Sequence, residues 1–369
     1  MKIIKILMIN TIPFNRNGMS MMMMNYYTHF DHKVVQCDFI VNKYIEDDYK
    51  NEIIDQGGKV YIFPSRNSHP LRYIKWLSKI MIRNQYDIVY IHGNSATMSA
   101  ELYAAHKCGI TTIVHAHNVK TEHPVLHELL YPYFAKHYDY AFAAGTEAGE
   151  WLYRKRQFLV IKNGIDSSDF EFSQSEGTKI RESLGIPEEA KVLIQVGSFT
   201  EQKNYPFTMR LIKKLKDSHK VVHLIAVGVG PLLESMKEYC EQNGIQRYVH
   251  FVGSQSETGS YYSAADQFIF PSLYESFGIV AAEAQANGLP CLVSEKVPRA
   301  IDITGNIKFE SLDINDWMEV ILNQNFRRSK YTLKQTEQLF ALKGLSIGSD
   351  ALGMQDVFKA IMEGKDIYK

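Results

Sequence analysis

Short apolar runs alternate with longer segments of mixed polarity along most of the chain. Such alternation predicts buried parallel strands joined by amphipathic crossover helices. A first set of strands is expected at Ile3 to Ile9, Val34 to Val41, Lys59 to Phe63, Asp87 to His92, Thr112 to His115, Tyr140 to Ala144 and Phe158 to Ile161. A second set is expected at Val192 to Val196, His223 to Val227, Val249 to Val252, Gln267 to Phe270 and Cys291 to Val293. Between the sets lies Asn163-Gly164-Ile165-Asp166, then a polar stretch through Thr178, so turn chemistry and a change of composition coincide there. The expected division is therefore 1–165 and 166–351, two doubly wound α/β domains. Ligands of such sheets bind outside the carboxyl ends of the strands.

Helical periodicity adds two features. Residues 71–83 carry Arg72, Lys75, Lys79 and Arg83 on one stripe and Leu71, Ile74, Leu77 and Met81 on another, with Trp76 and Ile80 adding apolar area. The bland reading is a docked surface helix; the sharper one is contact with anionic lipid headgroups. The methionine-rich run after Gly18 reads as the core side of a helix.

At 369 residues the chain exceeds one ordinary core, which agrees with two domains. Its 45% hydrophobic and 22% charged residues are usual for a soluble protein, and a formal net charge of zero gives no field for nucleic acid. Cys37, Cys108, Cys240 and Cys291 fit no zinc or redox spacing and read as free thiols of a reducing compartment. The apolar amino terminus is interrupted by Lys5 and lacks a small-residue cleavage site, so a buried first strand is expected rather than a signal peptide. No apolar stretch is long enough to span a bilayer, and a cytoplasmic location is expected, with peripheral contact at the inner face of a membrane through 71–83.

Candidate chemistry concentrates between Phe270 and Pro290. An apolar strand turns at Pro271-Ser272, a small-residue helix starts near Gly278, and Asn287-Gly288 stops it. The free N–H groups of Phe277, Gly278 and Ile279 make an anion site, and Glu275 and Glu283 flank it. That layout suits a ligand with phosphates at one end and hydroxyls at the other, because carboxylate oxygens accept from hydroxyls. Gly197 follows another strand and precedes Lys203, a candidate cation for a diphosphate. Val227-Gly228-Val-Gly-Pro231 is by itself a weak glycine motif, and Leu233 breaks a dinucleotide fingerprint. In Ile113-Val-His-Ala-His-Asn118, His115 and His117 share one face if the strand continues. A third metal ligand with recognisable spacing is missing, so no metal site is expected and His115 reads as a packing residue.

The order and spacing of the Phe270 to Pro290 segment resemble the signature of the retaining, nucleotide-sugar-dependent glycosyltransferases of family four (glycosyl transferases group 1). Val196-Gly-Ser-Phe-Thr-Glu-Gln-Lys203-Asn204 is similar to that family's phosphate loop, except that Ser198 replaces the usual arginine and Ser276 stands where glycine is common. The resemblance spans essentially the whole chain. Asn17-Gly18-Met-Ser-Met through Asn25-Tyr-Tyr, with His-Ala-His-Asn, looks like the bacterial exopolysaccharide and capsule enzymes. It implies the GT-B fold, two Rossmann-like domains facing a central cleft, with an acceptor domain first and a nucleotide-sugar domain second. It also implies that the last helix, around Gln355 to Met362 within 352–369, crosses back onto the first domain. By the same resemblance Glu283 binds ribose hydroxyls, Glu275 contacts the donor sugar, and Gly228 and Val252 line the nucleotide and base pocket. His117 lies beside the sugar, and Asn17 and Gly18 belong to the diphosphate or acceptor loop.

The expected activity is retaining, metal-independent hexosyl transfer from a UDP-sugar, a co-substrate rather than a cofactor, to a glycan or lipid-linked saccharide. The setting would be synthesis of bacterial surface polysaccharide. The alternatives are a non-catalytic sugar-binding or partner-activating subunit, kept open by Ser198, and a UDP-sugar epimerase. A dehydrogenase is disfavoured because neither domain has a full Gly-x-Gly-x-x-Gly after its first strand.

Overall fold

The computed structural model describes residues 2–63, 66–275, 277–322 and 327–368. Strands β1 (Ile4–Asn10), β2 (Val35–Asn42), β3 (Val60–Phe63), β4 (Ile88–Gly93), β5 (Thr111–Ala116), β6 (Tyr140–Ala143) and β7 (Leu159–Val160) form one sheet in the order β3-β2-β1-β4-β5-β6-β7. Strands β8 (Lys191–Val196), β9 (Val222–Val227), β10 (Val249–Gly253), β11 (Gln267–Phe270), β12 (Cys291–Ser294) and β13 (Ile307–Glu310) form a second, in the order β10-β9-β8-β11-β12-β13. The pairings within both sheets are parallel. Central strands such as β4, buried along its whole length, need apolar residues on both faces, which is why they read as continuous apolar runs. Strand β13 was not expected. Ile307-Lys-Phe-Glu is a short, half-exposed edge strand, and alternation over so few residues carries little signal.

The chain divides into two compact units, Met1–Gly164 with Ile347–Lys369, and Ile165–Ser346. The return to the first unit comes at Ile347, earlier than the expected 352, on the helix Ile347–Met362. Ile347, Ala351, Met354, Phe358 and Ile361 form its buried stripe and join a core with Met22, Met23, Tyr26 and Phe30. The methionine run thus packs inward on the helix Gly18–His29. Gln355 adds a polar tie, its Oε1 accepting from the Asp31 N–H at 2.7 Å.

On the other face of the first sheet lies the helix Pro70–Asn84. Its buried stripe is Tyr73, Leu77 and Met81, whereas Leu71, expected on the apolar side, is 81% exposed. Leu71 sits in the first turn of the helix. Arg72, Lys75, Lys79 and Arg83 are all exposed. The four cysteines are free thiols. Among the described residues no helix is long and apolar enough to cross a membrane.

In each sheet the strand order reverses once, between β1 and β4 and between β8 and β11. The crevice beyond the carboxyl ends of such strands is where open α/β sheets bind ligands.

Candidate active site

In the second unit the ends of β8, β9 and β10 are joined by backbone contacts, the closest of which only glycine permits. Gly228 has φ of +139°, and a Cβ there would lie 2.1 Å from the Gly197 carbonyl oxygen. The Gly197 N–H donates to Val227 O at 3.0 Å and the Gly228 N–H to Gly253 O at 2.7 Å. Tyr205, fully buried at the start of the helix Tyr205–Asp217, donates its hydroxyl to Gly197 O at 3.0 Å. Gln195 supports the same loop from inside β8, donating from Nε2 to Lys203 O at 2.8 Å while its Oε1 accepts from Thr208.

These supports place Lys203 against the end of β11. Its Nζ donates to Glu275 Oε1 at 2.5 Å and lies 4.9 Å from the Phe270 ring centroid. The two side chains are only 15% and 7% exposed, so the ion pair is shielded from solvent. The flanking loop is fixed as well. The Leu273 N–H donates to Gln202 O at 2.9 Å, and Asn204 Nδ2 donates to Pro271 O at 3.1 Å.

The helix Ile279–Ala286 begins at Gly278, which has φ of +93° and closes on the Phe270 ring, where a Cβ would sit 2.8 Å from an edge carbon. Gly278 brings no side chain to cap this helix, and the Ala281 N–H closes on the Gly278 carbonyl at 2.9 Å, so the expected anion site falls to the N–H groups before Ala281. Phe277 and Ile279 are half-buried at this start. Ser276 lies outside the described residues. One helical turn in, Glu283 is 4% exposed, and its Oε2 accepts from the Tyr262 hydroxyl at 2.8 Å. Burial pushes its carboxyl up to about 7, against the opposing pull of the Tyr262 hydrogen bond and the Lys203 charge. A solvated helix face is thereby excluded for Glu283. Lys203, Glu275, Glu283, Gly197, Gly228 and Gly278 thus cluster around the carboxyl ends of β8, β9 and β11. Ser198 is exposed at the loop tip. Val252, on β10, lies one strand further out, and its carbonyl already accepts from Gln255 Nε2 at 2.6 Å. Tyr262 and Gln195 were not identified from the sequence, because nothing local marks a buried tyrosine or glutamine as the support of a distant carboxylate or loop.

The first unit holds the remaining candidates. Asn17 caps the helix Gly18–His29, its Oδ1 accepting from the N–H groups of Met19 and Ser20 at 3.0 Å each. Gly18 has open space where a Cβ would stand. His117 lies just past β5, half-buried, and its Nε2 shares a 2.9 Å hydrogen bond with Nδ1 of His92 at the end of β4. His115 is fully buried, and its Nδ1 shares a 2.6 Å hydrogen bond with the Tyr90 hydroxyl. Burial lowers all three histidines, His117 to about 3, so all are neutral at pH 7. The sequence offered no third ligand at a recognisable spacing after His115 and His117; the third ring, His92, comes from the preceding strand. It stands opposite His115 in the β4–β5 register, which sequence spacing does not reveal. One ring nitrogen from each lies within 4.8 Å of the others. The His115 ring stacks on those of His92 and His117 at 27° and 20°, while the His92 and His117 rings are tilted by 34°.

The chain is similar to known glycosyltransferases. Residues 16–169 match the Glycosyltransferase Family 4 model and residues 176–310 match Glycosyl transferases group 1. EpsF of Bacillus subtilis (strain 168), named as a glycosyltransferase, is 29% identical over 83% of this chain and 84% of its own length. An Escherichia coli UDP-Gal:α-D-GlcNAc-diphosphoundecaprenol α-1,3-galactosyltransferase is 24% identical over 66% of this chain and 68% of its own. HepE of Anabaena, solved with UDP and glucose, superposes with a TM-score of 0.77 at 14% identity, covering 96% of this chain and 99% of HepE. That likeness concerns the fold, which is GT-B-like. With a family 4 segment in its first unit and a group 1 segment in its second, the chain belongs to the glycosyltransferases.

Proposed function

We propose that the chain is a retaining, metal-independent hexosyltransferase that moves a sugar from a UDP-sugar to a glycan or lipid-linked saccharide in bacterial surface polysaccharide synthesis. The observation that carries the reading is the shielded Lys203–Glu275 pair, set beside an uncapped helix start and the buried Glu283 at the strand-order reversal of the second sheet. An arriving diphosphate takes Lys203 and the helix N–H groups as counter-charge. Glu275, released from Lys203, accepts from sugar hydroxyls, and Glu283 accepts from ribose. Front-face transfer follows, with a donor phosphate oxygen taking the acceptor hydroxyl's proton. In this reading leaving-group stabilisation falls to Lys203 and the backbone N–H groups. Within this reading His117 supplies a hydrogen bond to a sugar hydroxyl. The UDP-Gal and diphosphoundecaprenol in the galactosyltransferase's name, and the UDP and glucose held by HepE, support the donor and acceptor classes.

Contact with an anionic membrane belongs to the same reading. The exposed basic face of Pro70–Asn84 shares one side of the sheet with the helix Pro124–His137, where Val125 and Leu129 are 83% and 74% exposed. Co-sedimentation with anionic but not neutral vesicles tests this contact. The activity is tested by incubating the purified chain with UDP-hexoses and lipid-linked saccharides. Free UDP that accumulates only when acceptor is present supports transfer. UDP-sugar isomerised without acceptor would favour an epimerase, and binding without turnover would favour a non-catalytic subunit.

A further inference from the structure

The three stacked histidines at the ends of β4 and β5 leave two ring nitrogens in an unusual state. His92 Nε2 and His115 Nε2 are buried without a hydrogen-bond partner among the described residues. An orphaned N–H loses more than an orphaned lone pair, and buried N–H groups without acceptors are the rarer kind. A neutral imidazole carries one proton, which therefore belongs on the nitrogen that has a partner. In His92 that nitrogen is Nδ1, facing His117 Nε2. The Nδ1 of His115 faces the Tyr90 hydroxyl, which can itself donate, so His92 is fixed in this way and His115 is not.

From this geometry we infer that His92 is a positioning residue that locks His117 into its Nδ1–H tautomer. The His92 Nδ1–H donates to the lone pair of His117 Nε2, and the single proton of His117 is left on Nδ1. His117 is half-buried, so this other edge of its ring is the one open to a ligand. It then offers a donor and no lone pair. That selects an oxygen lone pair as its partner, as on a sugar hydroxyl or ring oxygen, and bars His117 from taking the acceptor's proton. The second consequence rests on the proposed transfer reaction; the tautomer itself does not.

Long-range ¹H–¹⁵N correlation spectra of the full chain at neutral pH read the tautomer directly. The expected result is a protonated Nδ1 and a bare Nε2 in His92 and His117, unchanged by EDTA. A protonated His117 Nε2 would overturn the inference. So would ring-nitrogen signals of all three that shift on EDTA treatment, which would identify a metal cage. His92→Asn can still place an N–H donor near His117, whereas His92→Leu cannot. With folding checked by circular dichroism, the leucine variant should show His117 as a tautomer mixture and raise KM for the UDP-sugar about tenfold, with little change in UDP affinity. The asparagine variant should recover part of that loss. Equal KM values in wild type and both variants would remove His92 from the reaction while leaving the spectra to decide the tautomer. Absent turnover in the wild type would instead count against the proposed function. Should both variants misfold, the wild-type spectra still decide.

Discussion

Replacing Glu283 by Gln should make the second unit more stable and its nucleotide binding weaker. The Glu283 carboxyl, with an ordinary value of 4.5, is pushed up to about 7, chiefly by burial. Since the folded value lies above the unfolded one, the group's favourable contribution is complete below 4.5 and is lost as pH rises through about 7. The gap corresponds to about 3 kcal/mol of opposition to the charged form at high pH, of which roughly 1 kcal/mol develops between about pH 6 and about pH 8. Glutamine cannot titrate, and its amide oxygen can still accept from the Tyr262 hydroxyl. The stability of the variant relative to wild type should therefore grow by about 1 kcal/mol over that interval, read from urea unfolding at the two pH values. Calorimetry should meanwhile show UDP affinity falling by about 1.5–3 kcal/mol, or roughly ten- to a hundredfold, because ribose hydroxyls lose a charged acceptor. Wild-type UDP affinity should itself weaken as pH falls below 7. A stability difference that ignores pH, or unchanged UDP affinity in a folded variant, would refute the placement of a buried, ribose-binding carboxylate at Glu283.

Four further outcomes are expected. Lys203→Ala should lower turnover on the order of a hundredfold while changing UDP-sugar affinity less, since the diphosphate gains charge as the glycosidic bond breaks; a nearly silent variant would mean that another cation holds it. Ser198→Arg should raise donor affinity or turnover in steady-state assays, because the loop tip is exposed and can accept the longer side chain; loss of activity in a folded protein would mark the serine as an adapted feature. Transfer should survive EDTA, and inactivation reversed by Mn²⁺ or Mg²⁺ would overturn metal independence. Gly228→Ala should reduce the unfolding midpoint and UDP affinity together, because its Cβ has no room beside the Gly197 carbonyl; wild-type values for both would mean the two loops are free to part.

What the sequence determined by itself is what local physics encodes. Apolar runs located twelve of the strands, since a buried parallel strand has to be apolar on both faces. The segment from Phe270 to Pro290 declared its strand, turn and helix because turn residues and helix stops act on their immediate neighbours. Edge strand β13 escaped, being short and half-exposed, and Leu71 was assigned inward because periodicity gives the face of a helix but not which of its turns are covered. Only the tertiary structure decided the partnerships. Lys203 meets Glu275 across 72 positions, and Tyr262 reaches Glu283 across 21. His92 stands beside His117 only because β4 pairs with β5 in one register. The same packing sets the electrostatics, since a carboxyl at about 7 requires removal from water as well as the presence of a glutamate. Residue type supplied the chemical capacity; strand order and register fixed which capacities meet, because those contacts join groups that no local sequence rule connects.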